Sequence, residues 1–422
     1  MTTGMIYQDI KPRTLNWCKK FLSGTWSTCT VDDFEIEQIK GALSNYIYVV
    51  KLKDHILTEK HEHRSAILRL YGEISGSHEK FYEILTFNML SERNLGPRLL
   101  GAFKHGRLEQ YLESKALTVN DLRSGRFLNI VAQKMARFHL IQSPVDKRPI
   151  YISRFVRKYM PWVKKAFEGI SYPLPNENPL PDTGTDSFVQ NLPSSQSPHG
   201  QYHSSQSSIV ASPCFLPTNE NGTCSMTQRQ KEIIQFMIDR NVVEEYKKLW
   251  EALKSINSAV VFCHNDVQEG NILVLQVIDP SQQNQIQIID FEYSHYGYGA
   301  YDIGNHFCEW VMQNVSDHPM GFEYDINSYP DESQQLEFCR SYIDFILKNM
   351  TEEQLQTFSG RLTTPERLAM EANAHSLMSH LFWGFWGVAQ HYLSKIDFPF
   401  LEYSYVRFQL YFHFKDKFYP KI

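Results

Sequence analysis

Hydrophobic patterning divides the chain into a strand-rich beginning and a helix-rich remainder. Two early runs, Asn45-Tyr-Ile-Tyr-Val-Val-Lys-Leu-Lys53 and Ala66-Ile-Leu-Arg-Leu-Tyr71, are β-branched and aromatic and are bounded by Gly, Ser and Asp, which predicts strands. Glu79–Glu92 then sets Phe81, Ile84, Leu85 and Met89 at helical spacing, and Gly96-Pro97 ends that segment. A further strand pattern, Gly106–Leu112, precedes a helix near Leu128–Gln142. The opening third therefore predicts a small, mostly antiparallel sheet crossed by one helix.

Residues 171–225 break the pattern, with eight Pro, eleven Ser and no Lys or Arg. Such a stretch buries too little apolar surface to offset its ordering entropy, so a mobile, solvated insertion is expected. Beyond it, Thr227 and Gln230 have capping-box spacing ahead of a helix, and Val243, Tyr246, Leu249, Trp250 and Leu253 line one face of the next. Ala259–Cys263 reads as a strand, and Ile272–Ile278 with Gln285–Ile289 as a strand pair across a polar turn. From about residue 302 the pattern is helical and aromatic-rich. The expected fold class is α+β: a β-rich lobe over 1–112, a mainly helical lobe over 113–422 interrupted at 171–225, and a cleft between them, where ligand sites prefer to lie.

Composition narrows the function classes. The 422 residues carry a net charge of −5, with 42% hydrophobic and 21% charged residues, as in an ordinary globular protein. That balance argues against a nucleic-acid binder, which needs clustered Lys and Arg. The seven cysteines form no CxxC or Cys/His cluster of zinc spacing. The apolar run Leu381–Ala389 is about half of what a bilayer crossing needs, and MTTGMIYQDIKPR lacks the apolar core of a secretory signal. No membrane segment and a reducing cytosol are the expectation. One excess stands out: aromatics reach 14%, with 27 Phe, 23 Tyr and 7 Trp.

Candidate chemistry concentrates at 263–292. In Cys263-His-Asn-Asp-Val-Gln-Glu-Gly-Asn-Ile-Leu273, a carboxylate (Asp266) and a carboxamide five residues on (Asn271) occupy a loop between strands. The following strand pair delivers Ile288-Ile289-Asp290-Phe291-Glu292. Phosphoryl transfer from ATP needs this inventory: one carboxylate to orient the attacking hydroxyl, and further oxygen ligands to hold Mg²⁺ against the phosphates. Amide and carboxylate oxygens suit that ion, which fits Asn271 and Asp290. The spacing H-x-D-x-x-x-x-N followed by D-F-x is a kinase pattern.

The longer segments His264-Asn-Asp-Val-Gln-Glu-Gly-Asn271, Ile289-Asp-Phe-Glu-Tyr293, Tyr301-Asp-Ile-Gly-Asn-His-Phe-Cys-Glu-Trp310 and Trp383-Gly-Phe-Trp386 resemble those of the choline/ethanolamine kinase family, a branch of the kinase-like fold. The resemblance covers most of the chain outside 171–225. It implies that Asp266 is the catalytic base, that Asn271 and Asp290 serve Mg²⁺, and that Gln268 approaches the nucleotide. Lys40-Gly41-Ala42-Leu43-Ser44-Asn45 matches the family's phosphate-covering loop, though with one glycine it reads alone as a hairpin turn. Arg69 stands where other kinases carry a strand lysine, with Glu83 on the following helix as its expected ion-pair partner. Gln110, Tyr111 and Leu112 match the hinge that meets adenine.

Substrate class follows from what the C-terminal part offers. No A-P-E follows Asp290, which argues against a peptide substrate. Instead the region is rich in rings, and Trp383 and Trp386 share a helix face at i and i+3. A trimethylammonium group has no N–H donors, but ring faces attract it with about 0.5–2 kcal/mol per contact. Most of these aromatics must be packing; the resemblance assigns Tyr293, Trp383, Trp386, Phe398 and Tyr403 to a cage, with Glu309 as the nearby carboxylate. Glu292 and Glu309 remain open as metal, substrate or structural groups. The expected activity is ATP-dependent phosphorylation of the choline hydroxyl, with ethanolamine as a poorer or alternative substrate. An ethanolamine-selective kinase and an inactive kinase-like scaffold are the alternatives. The resemblance further implies a soluble protein, commonly a homodimer, at the first step of phosphatidylcholine synthesis.

Overall fold

Five of the predicted and unpredicted early strands join in one antiparallel sheet, ordered β1-β2-β3-β5-β4: β1 (Phe34–Ile39), β2 (Asn45–Leu52), β3 (Ser65–Tyr71), β4 (Leu99–Phe103) and β5 (Gly106–Gln110). The computed structural model describes residues 10–39, 45–59, 61–71, 77–170, 226–276, 286–315, 318–358 and 364–419. The insertion at 171–225 and residues 40–44 of the phosphate-loop match lie outside these. Alternation along β2 and β3 sends Val50, Leu52, Ala66 and Leu68 into one core with Phe34 and Leu108. Two helices that periodicity did not predict, Ile10–Phe21 and Thr25–Thr28, close that core with Cys18 and Trp26. Their sequence, with Pro12 in the first turn and few apolar residues, carries too weak a stripe to announce a helix. The predicted crossing helix spans Ser77–Glu92.

Register decides what the sheet presents. In β3 and β5, Arg69 lies directly opposite Arg107 and Ile67 opposite Glu109. Residues two apart on a strand share a face, so Glu109 sits on the side of both arginines.

The remainder is built around a 29-residue helix, Pro365–Leu393, apolar on nearly every side and buried accordingly. Against it pack the helices Gly299–Cys308, Phe400–Phe418, Tyr151–Glu168 and Val242–Ile256. Gly304 permits the closest of these approaches, since a Cβ there would stand 2.2 Å from the carbonyl oxygen of Ala372. Thr227 and Gln230 form the expected capping box. The strand pair is found as Ile272–Leu275 against Ile286–Ile288. Among the described residues no helix is long and apolar enough to cross a membrane.

Candidate active site

The strand Val260–Cys263 pairs with His295–Tyr298, and the loop leaving it, His264–Asn271, is held from beneath by the helix Gly299–Cys308. Asp302 on that helix accepts the backbone N–H groups of His264 and Asn265, each at 2.8 Å, one on each carboxylate oxygen. His139 adds a third bond at 2.9 Å and is itself held by the Tyr342 hydroxyl at 2.7 Å. Burial works against the Asp302 carboxylate, yet His139 and these N–H groups bring its pKa below the usual value. The side chain of Asn305 donates to the Asn265 carbonyl at 3.2 Å. Thus fixed, Asn265 takes a left-handed φ of 67°, and Asp290 one of 68°, conformations that cost a non-glycine residue energy and persist where surroundings over-determine them.

His264 ties the two loops together. Burial lowers its pKa, so the ring is neutral: Nε2–H donates to the Ile289 carbonyl at 3.0 Å, while Nδ1 accepts the Asp266 N–H at 3.2 Å. Asp266 and Asp290 are brought to one place in this way. The Asn271 amide nitrogen donates to the Asp266 carboxylate and to its carbonyl, both at 2.9 Å. Burial and the negative charges of Asp290, Glu309 and Glu292 push the Asp266 carboxyl well above the ordinary range.

Above Asp290 the sheet supplies a buried chain of alternating charge. Arg69 Nη1 reaches both Asp290 oxygens, at 3.0 and 3.2 Å, and Arg69 Nε donates to Glu109 Oε1 at 2.9 Å. The same oxygen accepts from Arg107 Nε at 2.8 Å, and Arg107 Nη1 pairs with Glu83. None of these four sheet-side residues is more than 6% exposed. The expected direct pair between Arg69 and Glu83 is therefore incorrect: Arg107 and Glu109 stand between them. The physical reason is the β3–β5 register, which gives Arg69 a nearer carboxylate on the neighbouring strand. Periodicity alone had no means of finding Arg107.

The other nucleotide-side residues are more dispersed. Lys40, Gly41, Ala42, Leu43 and Ser44 are outside the described residues, whereas Asn45 is buried and donates to Glu292 at 2.8 Å. Burial and Asp290 raise the Glu292 carboxyl to about 8. Gln110 closes β5, bonded through its backbone N–H to Arg98 at 2.8 Å; Tyr111 is exposed and Leu112 half-buried just after it. Gln268 is half-buried in the loop, its carbonyl accepting from the Asn271 N–H at 3.1 Å.

The five cage residues are contiguous. Ring centroids lie 5.3 Å apart for Tyr293 and Trp383, 5.4 Å for Trp383 and Trp386, 5.8 Å for Trp386 and Tyr403, and 6.0 Å for Tyr403 and Phe398. Four are between 4% and 9% exposed, and Phe398 is half-buried. Phe400, 5.7 Å from Trp386, also joins the set; its place in the same aromatic stretch was the available signal. Every polar atom on these rings is engaged internally. Trp383 Nε1 donates to Asn305 Oδ1 at 2.8 Å, which also accepts from Ser379 at 2.7 Å. Trp386 Nε1 donates to the Tyr293 hydroxyl at 3.2 Å. Glu309 is not a free anion: Arg407 Nη2 donates to its Oε1 at 2.7 Å, and Arg407 Nε to the Tyr403 hydroxyl at 2.9 Å.

A strained, buried carboxylate loop joined to a second carboxylate under an arginine-bearing sheet defines a kinase-like phosphotransferase. The family model described as choline/ethanolamine kinase matches residues 36–412. A human protein named choline/ethanolamine kinase is 32% identical over 411 residues, covering 97% of this chain and 87% of its own. Mouse choline kinase alpha is 32% identical over 431 residues, with 96% and 82% covered. The crystal structure of choline kinase from Cryptosporidium parvum superposes with a TM-score of 0.64 at 22% identity, covering 97% of this chain and 96% of that one, which shows a shared fold. The chain belongs to the choline/ethanolamine kinase family, and with that family it is an ATP-dependent kinase.

Proposed function

We propose that the protein transfers the terminal phosphoryl group of ATP to the hydroxyl of choline, giving phosphocholine and ADP. The observation that carries choice of amine is a cage of rings whose polar atoms already hold internal partners. A primary ammonium needs three acceptors, whereas a trimethylammonium needs ring faces and little else. The hydroxyls of Tyr293 and Tyr403, Asn305 Oδ1 and Glu309 Oε1 each accept from an internal donor.

Seated among the rings, choline turns its hydroxyl toward Asp266. Asp266 orients that hydroxyl and takes its proton as the new O–P bond forms; its raised pKa suits a base working near neutrality. Asp302 and His264 hold the loop rigid so that the carboxylate need not be organised during the step. The donor chemistry fits Mg²⁺: the Asn271 nitrogen is committed to Asp266, which leaves its amide oxygen, a hard donor, beside the carboxylate of Asp290. Bound there, the ion supplies positive charge against the phosphates. Arg69 neutralises Asp290 and serves the phosphate side, residues 40–45 are assigned to the phosphates by kinship, and Gln268 and Gln110–Leu112 serve the nucleotide. A homodimer at the first step of phosphatidylcholine synthesis rests on kinship alone; a cytoplasmic location and the division into lobes at residue 112 rest also on the composition and patterning of the chain.

An inactive scaffold is disfavoured because Asp266, Asn271 and Asp290 are all present and two of them are hydrogen-bonded together. The test is a comparison of kcat/KM for choline and ethanolamine on the purified protein. Choline is expected to be favoured; a preference for ethanolamine overturns the assignment of the amine.

A further inference from the structure

We infer that Arg407 sets the amine specificity of this site by occupying acceptors that a primary ammonium would otherwise use. The inference rests on the assignment of the ring cluster as the amine site. Arg407 is 2% exposed and lies on the helix Phe400–Phe418, one turn beyond Tyr403. One guanidinium bridges two cage groups, donating from Nε to the Tyr403 hydroxyl and from Nη2 to Glu309 Oε1. It also lies over the Tyr403 ring, 5.1 Å from its centroid.

A buried arginine is an expensive group to place beside a site for a cation. Burial disfavours its charge, though Tyr403 and Glu309 outweigh that and hold its pKa above the usual value; its Nη1 has no hydrogen-bond partner among the described residues, which is costly in itself. An isolated structural ion pair gains little over apolar packing, so these costs point to a role at the site. The placement does two things. It offsets part of the charge of Glu309, a carboxylate on the cage wall, and it engages one acceptor site on Glu309 Oε1 and one on the Tyr403 hydroxyl. The guanidinium covers one face of Tyr403 only, and the rings of Trp383 and Trp386 are left to a quaternary ammonium, which uses ring faces. Specificity arises because ethanolamine would enter with two of its acceptors already engaged, and a group that loses hydrogen bonds on binding is disfavoured. Arg407 is thus a positioning residue that acts through Glu309 and Tyr403.

The test is the ratio of kcat/KM for choline over ethanolamine. Arg407→Met, similar in length and uncharged, should lower that ratio about tenfold, largely by improving KM for ethanolamine, while KM for ATP stays within about twofold. Arg407→Lys keeps a cation but cannot bridge both oxygens; it should lower the ratio about threefold, and it serves if the methionine variant does not fold. Thermal melting identifies which variants are folded. A merely structural role would depress both amines alike, so a ratio within twofold of wild type in a folded variant overturns the inference. Wild-type protein that phosphorylates neither amine instead sinks the assignment of the site itself.

Discussion

The two sides of the proposed site use buried charge for opposite ends, five charged residues on one and two on the other. On the nucleotide side, Glu83, Arg107, Glu109, Arg69 and Asp290 form a line of alternating sign that ends on a partly exposed carboxylate, the one proposed to serve the metal. On the amine side, Glu309 and Arg407 close on each other and leave the cage wall to rings. The lesson is that a phosphate site keeps charge available, whereas a site for a cation without N–H donors gains from having its polar atoms spent. Burial alone does not tell the two apart; the end of each chain of partners does.

Where the two sides meet, Asp266→Ala should give the largest effect, a fall in kcat of about 10²–10⁴ with both substrate KM values little changed. Because burial and its anionic neighbours raise the Asp266 pKa and the base acts unprotonated, wild-type kcat/KM should fall with acidification at a pH above the ordinary carboxylate range. Equal ADP release by wild type and variant would break the comparison at its centre. On the nucleotide side, Arg107→Met leaves Glu83 buried without its cation and should destabilise the fold by about 3–5 kcal/mol in denaturant unfolding. A loss below about 1 kcal/mol would mean the charged line is not a unit. On the amine side, Trp386→Ala should raise KM for choline about tenfold and leave KM for ATP within twofold. If both constants stay put, Trp386 is packing and the cage is wrongly drawn.

Much of this was legible in one dimension because it depends on local spacing. The antiparallel sheet followed from alternation in β2 and β3, and the juxtaposition of Asp266 and Asn271 from their interval of five in a short loop. Trp383 and Trp386 could be set on one face because both lie in one helix. Less accessible were partners chosen across strands. The β3–β5 register placed Arg107 opposite Arg69 and gave Arg69 a carboxylate from β5 instead of Glu83. The two N-terminal helices were invisible for a related reason: their stability comes from Trp26 and Cys18 packing on the sheet, not from a periodic stripe.

By itself, then, the sequence determined the family, the kinase-like order of strands and loops, and the residue types that phosphoryl transfer requires. These are encoded in intervals along the chain that any fold of this class must respect. Only the tertiary structure decided which charge answers which. Residues 98 positions apart, Glu309 and Arg407, close on each other, and Asp302 reaches back 38 positions to hold the loop that carries Asp266. Such pairings are set by the packing of helices and by strand register, where a shift of one position would send every side chain to another neighbour.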